Sequence, residues 1–431
     1  MNIVMVTNTY SPHVGGVARS VAAFSAEYRR LGHRVLIVAP EFAGMPENET
    51  DVVRIPSIQN FNGSDFSVVL PVTGLLTKSL DAFQPEIVHA HHPYLLGMTA
   101  LRIARYRELP LVFTHHTLYE QYTHYVPGDS PTLQRFVIEL ATHYANLTDQ
   151  AFAPSESIAS LIKERGVQAP IAVIPTGVDV ERFAGGDGHS FRAKMGIPVE
   201  AFVVGHVGRL APEKNLGFLS EAMALFLKAN KNAYFLVAGE GPSKQEILDV
   251  LSRHGLSGRL HITGVLGPSQ LADVYRAMDV FAFASKSETQ GMVLTEAMAA
   301  AVPVVALDAS GVREVVQNET NGRLLHKETP ETFAAALKWF ADLPSTKIQG
   351  LQQGALATAQ EFSMAQTAVQ AIACYETLTK QAFVERSEEF EQWQRTLHLI
   401  ETEWEILKGI AESAGAAFFP SKTNEPIQLK K

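Results

Sequence analysis

Glu288 and Glu296 stand eight residues apart in SETQGMVLTEAMAAAVPVVA, with Gly291 between them and the small-residue run EAMAAA following. A helix opening near Leu294 aims unpaired backbone N–H groups, and the positive end of its dipole, at the loop around Gly291. Such a loop is a seat for an anion or for sugar hydroxyls. Glu288, on the loop, can accept hydrogen bonds from a sugar; Glu296, in the first helical turn, can accept two from a ribose diol. The dipole alone also favours acids at a helix start, so the spacing leaves both accounts open.

In GHVGRLAPEKNLGFL a strand ends at Gly208, and Arg209 and Lys214 flank a turn containing Pro212. Two cations on a strand-to-helix loop can clamp a diphosphate, arginine through a planar fork and lysine as a point charge. A solvated loop with two surface charges is the plainer account, and the position at a strand's carboxyl end favours the clamp. In TYSPHVGGVARSV, Gly15 and Gly16 lie between the first strand and the first helix, where glycine permits close backbone approach to phosphate. The pair is not the G-x-G-x-x-G dinucleotide fingerprint, and a simple turn explains it as well.

Histidines gather in the N-terminal half: His89, His91 and His92 in VHAHHP, then His115, His116 and His124 in FTHHTLYEQYTHY. The H-E-x-x-H spacing of a helical zinc site is absent, as are the cysteines of a structural site, so no metal centre is expected. One or two of these histidines are expected to end strands at a cleft and bond substrate hydroxyls, the others to be structural. Tyr119, Tyr122 and Tyr125 can line an acceptor surface or simply pack.

The elements that must position these residues recur along the chain. Apolar runs at 2–8, 34–40, 86–91 and 111–116 each precede a helical pattern, the first helix running from about 17 to 31 with Gly32 at its left-handed end. A second series occupies 170–177, 201–209, 233–241, 260–266, 280–285 and 303–307. Continuous Val/Ile runs without polar alternation are strands buried on both faces, and their alternation with helices is a doubly wound α/β pattern. Two series mean two Rossmann-like halves facing a cleft, joined near 176–192 by the Gly- and Asp-rich TGVDVERFAGGDGHS. The expected divisions are 1–176, 177–361, a crossover helix at 362–385 and an appended segment at 386–431.

Composition narrows the class. The 431 residues carry 36 basic and 45 acidic side chains, a net charge of −9, with 46% hydrophobic residues. That is too apolar for a disordered chain and too acidic for a dedicated nucleic-acid binder. Cys374, a single cysteine, is expected to be a small buried residue and cannot form an intramolecular disulfide. MNIVMVTNTYSP has no basic region or long apolar run and reads as a first strand rather than a signal peptide, and no run reaches about 18 uncharged apolar residues. A cytoplasmic location is expected, with access to a membrane surface left open.

After about residue 386 the strand signals stop. Phe390, Trp393, Leu397, Ile400, Trp404 and Leu407 share one helix face, with Glu388, Glu391, Glu401 and Glu405 off it. A helix packed on the protein's own body is the first reading, homo-oligomerisation through a short heptad seam the second. Membrane insertion of this segment is disfavoured by its acidic face. The last stretch, FFPSKTNEPIQLKK, reads as a frayed tail.

Taken together, ETQGMVLTE, GRLAPEKN, the AGEGP turn at Gly239 to Pro242, PTGVD and the early GGV resemble glycosyltransferase family 4 over roughly residues 1–380. These are retaining enzymes of the GT-B fold with nucleotide-sugar donors. HHPYLLG and THHTLYEQYTHYVP look like the diacylglycerol glucosyltransferases within that family. The resemblance implies that Arg209 and Lys214 hold the donor diphosphate, with Gly15 and Gly16 approaching from the other half. It implies that Glu296 binds the ribose, and that Glu288 and the following backbone at Gly291, Met292 and Val293 hold the transferred sugar. His116 would sit beside the sugar and its developing charge. No divalent metal or other cofactor is implied beyond the nucleotide sugar itself, because the clamp cations stabilise the leaving diphosphate.

The expected function is therefore a retaining hexosyltransferase placing glucose from UDP-glucose onto a diacylglycerol-type lipid. Leu95, Leu96, Met98 and Leu101 beside Arg102, Arg105 and Arg107 suggest a mixed apolar and basic surface suited to anionic headgroups, although packing of that helix on its own sheet explains the apolar residues equally. The alternatives are transfer from a UDP- or GDP-sugar to a soluble or cell-envelope glycan, and a non-catalytic nucleotide-sugar-binding scaffold.

Overall fold

The computed structural model describes residues 1–381 apart from Val14, 59–67, 70–75, 122–129 and Ser287. The C-terminal stripe and tail, together with Tyr122, His124 and Tyr125, lie outside the described residues.

The first half contains strands β1 (Asn2–Val6), β2 (Arg34–Pro40), β3 (Val52–Ile55), the short antiparallel pair β4 (Ser57–Ile58) and β5 (Val68–Val69), then β6 (Ile87–Ala90), β7 (Leu111–Thr114), β8 (Gln150–Ala153) and β9 (Ile171–Val173). Seven of these make a parallel sheet ordered β3-β2-β1-β6-β7-β8-β9. The second half contains β10 (Phe202–Val207), β11 (Ala233–Ala238), β12 (Leu260–Ile262), β13 (Val280–Phe283), β14 (Val304–Leu307) and β15 (Gly322–Leu325). They form a parallel sheet ordered β12-β11-β10-β13-β14-β15.

In each sheet the order reverses beside its first strand, between β1 and β6 and between β10 and β13, and those reversals open crevices at the strands' carboxyl ends. The apolar runs follow from this geometry. Ile3 and Met5 pack into one apolar core and Val4 and Val6 into another, so β1 is buried on both faces.

Some expectations need correction. The strand expected at 170–177 opens no second series: Ile171 pairs with Ala151 at the edge of the first sheet. The sheets also include strands at Val52–Ile55, Gln150–Ala153 and Gly322–Leu325, which the apolar runs do not mark. The Gly- and Asp-rich stretch at 176–192 is largely two short helices, Val180–Ala184 and Gly188–Met195, capped by the Asp179 and Asp187 carboxylates. Its glycines serve close packing: a Cβ on Gly188 would fall 2.1 Å from the Arg276 carbonyl oxygen. Cys374 is only partly buried, on the flank of the last described helix.

That helix, Met364–Lys380, packs on the first sheet with Ile3, Met5 and Tyr28. Where the chain returns, Val178 N–H donates to the Phe362 carbonyl at 2.8 Å and Met364 N–H to the Val178 carbonyl at 2.9 Å, so the two crossings between halves are stitched together. The helix is pinned by a buried polar chain. The Tyr375 hydroxyl lies 2.6 Å from His89 Nδ1 and 3.1 Å from the Tyr28 hydroxyl, and His89 Nε2 lies 2.7 Å from the Thr114 hydroxyl. Tyr375→Phe should leave His89 and Tyr28 short of a partner and cost about 1–3 kcal/mol. Urea unfolding at neutral pH checks this, and an unshifted midpoint would show that the chain does not anchor the helix.

Candidate active site

Arg209 and Lys214 sit on the loop that follows β10, where Pro212–Lys214 forms a single 3-10 turn closed by Asn215 in the left-handed conformation. The AGEGP turn shapes this loop. Leu210 N–H donates to the Glu240 carbonyl at 3.0 Å and Ser243 N–H to the Leu210 carbonyl at 2.8 Å. Gly239, at φ +144°, lies so close that a Cβ would fall 1.8 Å from the Gly208 oxygen. The glycines of AGEGP are thus a mould for the loop that presents the two cations. Lys214 Nζ reaches across to Glu288 Oε1 at 2.6 Å, joining the two charged motifs.

The helix after Glu288 spans Met292–Ala299, with Gly291 at φ +76° as its N-cap. It therefore begins two residues before the expected Leu294, and Glu296 lies in the second turn rather than the first. Gly291 is buried and Met292 and Val293 half-buried, the latter two in the first turn, whose amides have no intrahelical acceptor. Glu296 is 3% exposed. One carboxylate oxygen accepts from the Tyr275 hydroxyl at 2.8 Å, and the other is bound by Arg19, which lies in the first turns of the helix Gly16–Arg30. Gly15 caps that helix in an extended conformation and Gly16 begins it, so the GGV segment opens the helix that carries Arg19.

The loop between the two glutamates bridges the halves. Thr289 donates from its hydroxyl to the His116 carbonyl at 2.8 Å and accepts at its own carbonyl from Ser155 at 2.7 Å. The Gln290 amide brackets Thr176, accepting from its N–H at 2.7 Å and donating to its carbonyl at 2.6 Å. Glu314 accepts from the Glu156 and Ser157 amides at 2.6 and 2.7 Å, capping the helix Glu156–Glu164 from across the cleft. The structure thus brings Lys214, Glu288, Glu296 and His116 to one interface, with Arg209 exposed on the neighbouring loop.

The histidines divide as follows. His89 and His92 are buried and bonded within the first half, His92 Nδ1 accepting from Asn8 N–H at 3.1 Å. His115 is buried behind Tyr119, its ring 5.8 Å away. His116, half-buried, lies 2.9 Å from His91. No group of three or more His, Cys, Asp or Glu among the described residues is arranged to hold a metal ion. In the second half, His206 is buried near the end of β10 and its Nδ1 donates to the Ala282 carbonyl at 3.1 Å.

Burial pushes His89 and His92 down to about 3, and His115 and His206 down to about 4. Unfolding returns each to about 6.5, so the unfolded chain binds protons first. Stability carried by these neutral rings is present above pH 6.5 and is lost as pH falls toward 4. At pH 5.5 each should cost on the order of 1 kcal/mol relative to pH 8. The urea midpoint is expected to fall steadily below pH 6.5; a flat profile from pH 8 to 5 would contradict the burial.

The helix Leu96–Tyr106 turns Leu96, Met98 and Leu101 into the core, so the mixed apolar and basic surface is not presented as expected. Its own sheet takes the apolar face. Arg105 bonds the Leu147 carbonyl, Arg107 pairs with Asp81, and Tyr106 stands 91% exposed between them.

No sequence motif marks Arg19, Tyr275, Gln290, Thr176, Ser155, Glu314 or His206 as part of this interface. Their partners lie far along the chain, so no local spacing marks them.

Two parallel Rossmann-like sheets whose strand ends meet at such a bridged cleft define the GT-B architecture of glycosyltransferases. The chain belongs to glycosyltransferase family 4: the model described as Glycosyltransferase Family 4 matches residues 14–182, and that of Glycosyl transferases group 1 matches 188–350. The alpha-monoglucosyldiacylglycerol synthase of Streptococcus pneumoniae is 28% identical over 334 residues, 76% of each chain. The GDP-mannose-dependent alpha-mannosyltransferase of Mycobacterium tuberculosis is 29% identical over 75% of this chain and 84% of its own. The D-inositol 3-phosphate glycosyltransferase of Segniliparus rotundus is 32% identical over 68% of this chain and 67% of its own. Among solved structures, Anabaena HepE in complex with UDP superposes with a TM-score of 0.71 at 20% identity, covering 88% of this chain and 100% of its own. The protein is a hexosyltransferase. No helix among the described residues is long and apolar enough to cross a membrane.

Proposed function

We propose that the protein is a retaining hexosyltransferase that moves glucose from UDP-glucose onto a diacylglycerol-type lipid at a membrane surface. The observation that carries this reading is the Lys214–Glu288 pair at 2.6 Å, tied through Thr289 to His116 of the other half. Diphosphate cation, sugar carboxylate and a histidine for developing charge then share one cleft. The bond from the anomeric carbon to the diphosphate oxygen breaks while the acceptor hydroxyl bonds to that carbon on the same face. Its proton passes to the departing phosphate, giving a glycoside and UDP. Arg209 and Lys214 offset the charge left on the diphosphate, with Lys214 exchanging Glu288 for phosphate.

Glu296 receives the ribose diol by displacing Arg19 or through its remaining lone pairs. Gly291, Met292 and Val293 supply amides to the sugar, and Gly15 and Gly16 approach the phosphates from the first half. The clamp supplies the positive charge, so no divalent metal is required. In domain terms, 1–176 carries the acceptor side, 177–361 the donor side, 362–385 the crossover, and 386–431 is an appendage.

The lipid acceptor rests on the HHPYLLG and THHTLYEQYTHYVP resemblance and on the glucosyldiacylglycerol synthases among the relatives. A second reading, mannose from GDP-mannose to a soluble or cell-envelope acceptor, is favoured by the mannosyltransferase relatives and by the inward-facing apolar side chains of Leu96–Tyr106. Vesicles of diacylglycerol and anionic lipid, offered with UDP-glucose, separate the two. An α-linked glucosyl lipid is expected. Failure to sediment with any vesicle, with turnover of a soluble acceptor, would end the lipid reading, and a β-linked product would end retention.

A further inference from the structure

His91 and His116 follow the neighbouring parallel strands β6 and β7. His91 Nδ1 lies 2.9 Å from His116 Nε2, with the rings stacked at 5.2 Å and 25°. His91 is fully buried, and its Nε2 has no hydrogen-bond partner among the described residues. Burial first, and neighbouring histidines second, push both rings well below the usual histidine range, so both are neutral at pH 7.

A neutral imidazole carries one proton, which forces a choice. A proton on His91 Nε2 would be a buried donor with no acceptor, the rarer kind of orphan. A proton on His91 Nδ1 instead donates to His116 Nε2 and leaves only a buried lone pair unmatched. We propose that His91 is a positioning residue whose Nδ1–H locks His116 in the tautomer carrying its proton on Nδ1. His116 then offers the cleft a hydrogen-bond donor and has no free basic nitrogen.

This inference rests on the reading of His116 as the histidine beside the donor sugar. Its consequence is chemical. The Nε2 lone pair of His116 is engaged by His91, so the acceptor's proton must leave by another route, and the departing phosphate is the base the proposed transfer supplies. The Nδ1–H suits an oxygen of the sugar or phosphate. His116 is also held at its backbone, because its carbonyl accepts from Thr289 at 2.8 Å. Ring and carbonyl are therefore both fixed before any donor arrives.

Long-range 1H–15N correlation on the full chain labelled at histidine nitrogens reads the tautomer without any activity. The expected spectrum has a protonated Nδ1 and an unprotonated Nε2 at His116; the reverse assignment overturns the proposal. In NDP-release kinetics, His91→Phe should lower kcat about tenfold, the net worth of one hydrogen bond, with donor KM changed by no more than about twofold. His91→Asn, whose amide can donate from near the Nδ1 position, should recover to within about threefold of wild type. In a His116→Phe background, His91→Phe should add nothing.

An equal loss in that background, or no loss in His91→Phe alone, overturns the proposal. If His91→Phe does not fold, the wild-type spectrum and His91→Asn decide. A His116→Phe chain with unchanged NDP release would instead remove His116 from the proposed transfer chemistry, while the spectrum still reports on the lock itself.

Discussion

Lys214→Ala is expected to lower kcat/KM for transfer by about 10²–10³-fold, the loss typical of removing one preorganised donor aimed at developing negative charge. The lysine is set for this by the 3-10 turn at Pro212–Lys214 and by the AGEGP turn that moulds Leu210 beneath it. Its resting partner, Glu288, holds Nζ at 2.6 Å, with both side chains still in partial contact with water. Because both side chains are mostly buried, removing the lysine leaves Glu288 short of a partner and should cost about 1–3 kcal/mol, lowering the thermal midpoint by a few degrees. Lys214→Arg keeps the charge and should recover part of the rate, while its fork misfits a point-charge position. Initial-rate NDP release and thermal unfolding measure both effects. A variant Lys214→Ala with wild-type kcat/KM would remove the diphosphate clamp from the account.

Glu296→Ala is expected to damage both catalysis and stability. Loss of two charge-assisted hydrogen bonds to a ribose diol should weaken donor use about 100-fold or more. The structural cost arises because the carboxylate also binds the Tyr275 hydroxyl and Arg19 of the opposite half. Its removal strands a buried hydroxyl and a guanidinium. The Arg19 share is discounted because that side chain is 40% exposed, leaving a total near about 2 kcal/mol, or roughly 5 °C.

Arg19→Ala separates the two roles. It breaks the contact between halves and leaves the glutamate in place, so the midpoint should fall while donor KM stays within about threefold. If Glu296→Ala instead loses only stability, with kinetics of the folded fraction unchanged, the ribose assignment fails. The buried contacts to Tyr275 and Arg19 are why this variant should lower stability as well as donor use.

What could be read without coordinates followed from local physics. Strands such as β1 and β14 are buried on both faces and show as unbroken apolar runs. The clamp and the two glutamates stand out because charges interrupt those runs where strands end. Gln150–Ala153 has a single large apolar residue, and Gly322–Leu325 is an edge strand beginning with glycine; neither has a run to see. The helix starts at Met292 rather than near Leu294 because Gly291 caps it in a left-handed conformation, with no capping side chain to mark the boundary. Contacts such as Gln290 with Thr176, 114 residues apart, are set by how the halves meet, and no periodicity encodes them. The His91–His116 pair was visible as two clusters of histidines, but the shared hydrogen bond required neighbouring strands in register.

The central claim, a diphosphate clamp in a glucose-transferring family 4 enzyme, is tested most directly by NDP release from a panel of nucleotide sugars. Wild-type protein, with diacylglycerol vesicles present, should release nucleotide fastest from UDP-glucose, and Lys214→Ala should abolish most of that release. Fastest release from GDP-mannose, or equal release by Lys214→Ala, would contradict the account.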